Sequence, residues 1–276
     1  MSQEETAASQ PIGVFDSGIG GLTVVSALRA LLPNESIFYL GDTARVPYGG
    51  KSAATVQRYS LEIAALLLGE NAKTVVVACN TASALALPRL EESLSVPVTG
   101  VILPGARAAI AKTRSGHIGV IGTRATINSG AYERALRSLS PDIRVTARAC
   151  PLLVPLIEEG WLESGVTDEI VMQYLAPLLQ DGIDTLVLGC THYPLLRNAI
   201  GRLVGDEVAL VDSAQNCALA VRDLLAAEKL GAAGATPGTL RVALTDPPDA
   251  FLRVAREALQ LEVGEVEVRE VTPHAL

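Results

Sequence analysis

Thr74-Val75-Val76-Val77-Ala78-Cys79-Asn80-Thr81-Ala82 and Asp184-Thr185-Leu186-Val187-Leu188-Gly189-Cys190-Thr191-His192-Tyr193-Pro194 decide how this chain folds. Each opens with a short aliphatic run that lacks polar alternation, as expected of a strand covered on both faces in a parallel sheet. Each run ends on a cysteine followed at once by asparagine or threonine. Open α/β sheets hold ligands at the carboxyl ends of their strands. If these two ends face one another, one ligand sits between two thiols. A proton can then leave one face of a carbon while another arrives at the opposite face.

Outward from these segments, β-branched runs alternate with amphipathic stretches, which predicts parallel sheets with helical crossovers. Strands are expected at 12–15, 36–40, 74–78, 96–101, 117–121, 144–149, 185–188, 208–211, 240–244 and 266–271. Helices are expected at 21–32, 52–70, 82–93, 106–112, 129–138, 153–159, 167–181, 194–204, 214–230 and 250–261. A weak repeat overlies this alternation. Ile12-Gly13-Val14 and Ile118-Gly119-Val120 both open a strand, with Cys79 following Gly13 by 66 residues and Cys190 following Gly119 by 71. The pattern predicts two α/β domains of similar plan, each a mainly parallel sheet flanked by helices, with the site in the cleft between them. The chain is expected to leave the first near Leu103-Pro104 and return near Ser213. The first domain is then 1–104 plus 214–276, and the second is 105–213.

Bulk composition narrows the function. With 276 residues, 49% apolar and 19% charged, the chain is an ordinary globular protein. A net charge of -8 without clustered Lys or Arg argues against nucleic acid and anionic membranes as partners. No run of about 20 apolar residues could span a bilayer. The acidic start, Met1 to Gln10, lacks the basic and apolar regions of a signal peptide. Four cysteines without a Cys-x-x-Cys pair suit a cytoplasmic protein with reduced thiols.

Two loops are decoys. Ser17-Gly18-Ile19-Gly20-Gly21-Leu22-Thr23 places Thr23 where a dinucleotide fingerprint needs its last glycine, and Gly50-Lys51-Ser52 has Arg45 where a phosphate loop needs its first. Both can still turn backbone N–H groups towards a carboxylate. A buried cysteine is ordinarily a small apolar filler, but two in matched settings beside hydroxyl and amide neighbours point to chemistry. Thiols titrate close enough to neutrality to serve as acid and as base. Cys150 and Cys217 lack that strand-end setting and are assigned to the core. His192, two residues after Cys190, is the natural partner of the second thiol.

Asp16 reads either as the cap of the following helix or as a proton-exchange partner of Cys79, with Ser17 a donor to a substrate carboxylate. Pro47-Tyr48-Gly49-Gly50 is a turn that either packs Tyr48 on the surface or lids the cleft and offers the Gly49 N–H. Asp42 is a cap or a site residue. No His, Cys and carboxylate set has metal-ligand spacing, so no metal is expected.

These segments resemble the cofactor-independent glutamate racemases of the aspartate/glutamate racemase superfamily. The resemblance is carried by Gly13 to Thr23, Gly41-Asp42-Thr43 with Pro47-Tyr48-Gly49, Ala78 to Ala82 and Leu188 to Pro194. Weaker similarity runs through Ile121-Gly122-Thr123, Glu158-Glu159-Gly160 and Val211-Asp212-Ser213. It implies interconversion of L- and D-glutamate for peptidoglycan, with no pyridoxal phosphate and no metal. Cys79 and Cys190 would act as the two acid/bases, assisted by Asp16 and His192. Substrate contacts would fall to Asp16, Ser17, Tyr48, Gly49, Asn80, Thr81, Thr191 and His192, with a further acidic residue at Glu158 or Glu159. A homodimer is expected. Racemisation of aspartate or a hydantoin, or a glutamate-responsive protein-binding module, remain as alternatives.

Overall fold

The computed structural model describes residues 8–232, 234, 236–246 and 259–272. The strand order follows from buried aliphatic runs pairing side by side. Its first sheet contains β1 (Ile12–Asp16), β2 (Ile37–Gly41), β3 (Thr74–Val77), β4 (Val98–Gly100), β9 (Leu240–Leu244) and β10 (Val266–Val268), in the order β10-β9-β2-β1-β3-β4. The second contains β5 (His117–Gly122), β6 (Arg144–Ala149), β7 (Thr185–Gly189) and β8 (Ala209–Asp212), in the order β6-β5-β7-β8. All pairs are parallel. The four-strand order β2-β1-β3-β4 thus recurs as β6-β5-β7-β8. Both Ile-Gly-Val segments lie in the equivalent strands β1 and β5, and both cysteine runs in β3 and β7. All ten expected strands form.

Helices connect the strands: α1 (Leu22–Leu31), α2 (Ala53–Gly69), α3 (Asn80–Leu85), α4 (Leu87–Ser93), α5 (Ile102–Lys112), α6 (Arg124–Asn128), α7 (Ala131–Leu139), α8 (Leu153–Glu158), α9 (Gly165–Gln180), α10 (Arg197–Val204) and α11 (Ser213–Ala227). Three differ from the sequence expectation. The helix expected over 82–93 breaks at Ala86 into α3 and α4, because Pro88 has no N–H for the helical ladder and sits instead in the first turn of α4. Pro104 occupies the first turn of α5, where its missing N–H is free of cost, so this helix begins at Ile102 rather than 106. The helix expected over 129–138 is preceded by an extra turn, α6, which Thr123 caps by accepting from Thr126 N at 3.2 Å; Gly130 at φ +65 separates it from α7. The helix expected over 250–261 lies largely outside the described residues.

Three apolar clusters hold the layers together. One covers the outer face of the first sheet (Phe15, Phe38, Val75, Val77, Ile63, Leu67) and one the outer face of the second (Ile121, Leu186, Leu188, Val171, Leu175). The third joins the two sheets. It contains Val14 and Val76 from one, Val120 and Val187 from the other, and Leu22, Leu28, Ala106, Leu136, Val221 and Leu225 from α1, α5, α7 and α11. Each fully buried leucine there contributes roughly 2 kcal/mol of transfer free energy. The connecting helices α5 and α11 pack on one another inside this layer, which fixes the carboxyl ends of the two sheets relative to each other.

Candidate active site

Parallel strands deliver all their carboxyl ends to one edge of a sheet, so each loop that follows a strand here contributes to the same region. Between the two edges lies a cavity of about 280 Å³. Its walls include Ser17 after β1, Cys79, Asn80 and Thr81 after β3, Thr123 after β5, and Cys190, Thr191 and His192 after β7. Tyr48 and Gly49 close it from the first domain. The volume sits at the small end for ligand sites, suited to a compact metabolite rather than a nucleotide.

The two thiols share this cavity in different surroundings. Both are 5% exposed, and all four cysteines are free. Cys79 donates to Ser17 Oγ at 3.7 Å and accepts from Ala82 N at 3.5 Å. Burial, reinforced by the Asp16 carboxylate, pushes its thiol up to about 12, so it is protonated at neutral pH. Cys190 Sγ lies 3.8 Å from His192 Nδ1, and His192 Nε2 lies 3.2 Å from Glu158 Oε1. Burial disfavours the imidazolium, but the Cys190 sulfur and the Glu158 carboxylate outweigh it and raise His192 to about 10. The imidazole is thus within reach of the Cys190 sulfur for proton exchange. The two thiols therefore face one cavity with different partners, Ser17 and the Ala82 N–H at Cys79 and the His192–Glu158 pair at Cys190.

Asp16 does not take the capping position expected of it. Gly21, not Asp16, occupies the N-cap of α1. The fully buried Asp16 carboxylate accepts from Gly18 N at 2.9 Å and from Thr191 Oγ1 at 3.2 Å. Burial raises its pKa, against the opposing charge of His192. It is hydrogen-bonded to the second cysteine loop, and its charge also acts on Cys79. Gly20 permits this close approach, since a Cβ there would stand 2.5 Å from His192 Nδ1 and from Thr191 Oγ1.

Asp42 is also away from the cavity wall. Its carboxylate accepts from Arg45 Nε, from Thr245 Oγ1 at 3.0 Å and from the Tyr48 hydroxyl. Tyr48 is 1% exposed and so lines the cavity with its hydroxyl already committed. Of the adjacent pair, Glu158 lines the cavity; Glu159 is exposed and does not.

Residues 22–221 match the model of the Asp/Glu/Hydantoin racemase family. Over 255 residues, 92% of this chain and 94% of the relative, the sequence is 52% identical to a glutamate racemase of Geobacter metallireducens. The chain belongs to the Asp/Glu/hydantoin racemase family. Among solved members, a glutamate racemase isoform from Bacillus anthracis superposes with a TM-score of 0.91 at 42% identity, covering 95% of this chain and 98% of that one. A glutamate racemase of Francisella tularensis, solved in complex with D-glutamate, superposes with a TM-score of 0.90 at 37% identity, covering 97% of this chain and 100% of that one.

Several residues of this racemase-family cavity were not singled out from the sequence. Cys150 was assigned to the core for want of a strand-end setting. It directly follows β6, and although buried it lines the cavity. Thr123 joins Thr81 of the facing domain at 2.9 Å, and both bond Thr126. Arg124 is the sole Lys or Arg among the described residues of the wall. Their shared signal, a position just past β5 or β6, was available in the strand assignments.

Proposed function

We propose that this protein interconverts L- and D-glutamate by moving protons at the α-carbon between Cys79 and Cys190, without a cofactor. The carrying observation is that both thiols line one small cavity, Cys79 beside Ser17 and Cys190 beside the His192–Glu158 pair. The thiolate of Cys190 removes the α-proton from the enantiomer that presents it. Cys79 gives its own proton to the opposite face. The thiols end with exchanged protonation, and the reverse reaction uses the exchanged pair. Nothing is consumed. Donors around the cavity stabilise the carboxylate as its charge grows in the carbanionic transition state. Ser17, Tyr48, Gly49, Asn80, Thr81 and Thr191 are assigned to the substrate, with Asp16 and His192 poising the two sulfurs. Near-full-length relatives named glutamate racemase support glutamate over aspartate or a hydantoin. We further assign the chain to the cytoplasm as a homodimer supplying D-glutamate for peptidoglycan. Its domains are taken as 1–104 with 214–276, and 105–213.

The test is a Cys79→Ala and a Cys190→Ala variant, each assayed by polarimetry with L- and with D-glutamate. Each should lose racemisation by at least 10²- to 10⁴-fold, the usual worth of a general acid or base. In deuterated water, wild-type product should carry deuterium at the α-carbon before the remaining substrate does. Substantial turnover by either variant would discard the two-thiol scheme.

A further inference from the structure

Tyr132 reaches from α7 in the second domain to the loop after Cys79 in the first. Its hydroxyl donates to Asn80 Oδ1 at 2.7 Å, and the two residues are 2% and 1% exposed. Its ring lies against the backbone just before Cys190, where a Cβ on Gly189 would stand 3.0 Å from Tyr132 Cε2. One side chain therefore touches the residue that follows one thiol and the residue that precedes the other. Asn80 lines the cavity. With its oxygen taken by Tyr132, its Nδ2 is buried without a hydrogen-bond partner among the described residues. An amide donor left in that state is costly unless an acceptor arrives.

We propose that Tyr132 is a positioning residue for racemisation: by holding Asn80 Oδ1 it keeps Nδ2 available for a carboxylate of the substrate. This inference rests on the glutamate reading above. An asparagine amide offers a donor at one end and an acceptor at the other, and the ends exchange by a half-turn. Without the tyrosine hydroxyl, no other hydrogen bond among the described residues holds the Asn80 amide, and the flipped orientation aims a carbonyl oxygen at an anion. With it, the donor orientation is the one that satisfies both partners. The bond crosses between the domains, so it also ties the Asn80 loop to the element that packs behind Cys190.

The experiment compares wild type, Tyr132→Phe, Asn80→Ala and the double variant in glutamate racemisation, with thermal unfolding recorded for each. Tyr132→Phe keeps the ring and should raise KM about tenfold with kcat changed less than about threefold, the size of one hydrogen bond to a charged group. In the Asn80→Ala background the same change should move KM less than about twofold, because its target is gone. An equal effect of Tyr132→Phe in both backgrounds overturns the proposal, as does an unchanged KM in the single variant. Wild-type protein that turns over no glutamate in this assay overturns the glutamate reading, and this inference falls with it.

Discussion

His192 stands between a sulfur and a carboxylate, and that placement makes its charge testable. The ring is raised to about 10 because Cys190 and Glu158 together overcome burial. Glu158→Gln removes one of the two, so His192 should titrate lower, and the alkaline limb of kcat/KM should move down by about one pH unit. A pH–rate profile reads this directly; an unmoved limb would detach Glu158 from the site chemistry. The same shift has a stability consequence of fixed sign. A folded-state value above the unfolded one stabilises fully below about pH 6.5 and is lost as pH rises through about 10. At this scale the sequence was legible where chemistry and strand end coincide in a short segment, as at Cys79, Cys190 and His192. It was silent on Glu158 against Glu159, because successive helical residues point about 100° apart and only the packed helix shows which one faces inward. Tyr132 was invisible for another reason: its role depends on Asn80, 52 positions away.

Asp42 shows how an element is held rather than how a reaction proceeds. Its buried carboxylate gathers Arg45, Tyr48 and Thr245, tying the Tyr48–Gly50 turn to the ends of β2 and β9. Asp42→Ala leaves a buried tyrosine hydroxyl without its acceptor and a guanidinium with one carboxylate fewer. It should cost about 2–3 kcal/mol in urea unfolding and raise KM as the turn loosens. A cost below about 0.5 kcal/mol would mean that desolvating the carboxylate cancels what its bonds return. Elements buried on both faces, such as β3 and β7, were readable because continuous aliphatic runs have one comfortable place in an α/β protein. Helix boundaries were not, and proline explains why. The helix expected over 82–93 runs through Pro88, which instead ends one helix and opens the next. Pro104, just before the expected start at 106, sits in a first turn and draws that start back to Ile102.

The whole molecule is bound by a layer that neither sheet owns. Leu28 of α1 and Val221 of α11 share one apolar cluster with Val120 and Val187 of the second sheet. The repeat in the sequence revealed two similar halves, but it could not reveal this layer, since periodicity within a helix says which face is apolar and not which sheet it meets. A joint core predicts joint unfolding. Trp161, the single tryptophan, lies in the second domain between α8 and α9, whereas Leu28 follows β1 in the first. Leu28→Ala should destabilise by about 3 kcal/mol through the cavity it leaves. If the layer couples the halves, Trp161 fluorescence and far-ultraviolet circular dichroism will report one urea midpoint in the wild type. Both midpoints will then fall together in the variant. Should the fluorescence midpoint stay fixed while the dichroism splits in two, the domains unfold separately. The geometry between Cys79 and Cys190 would then owe its rigidity to local bonds such as Tyr132–Asn80 and Thr81–Thr123 rather than to the shared core.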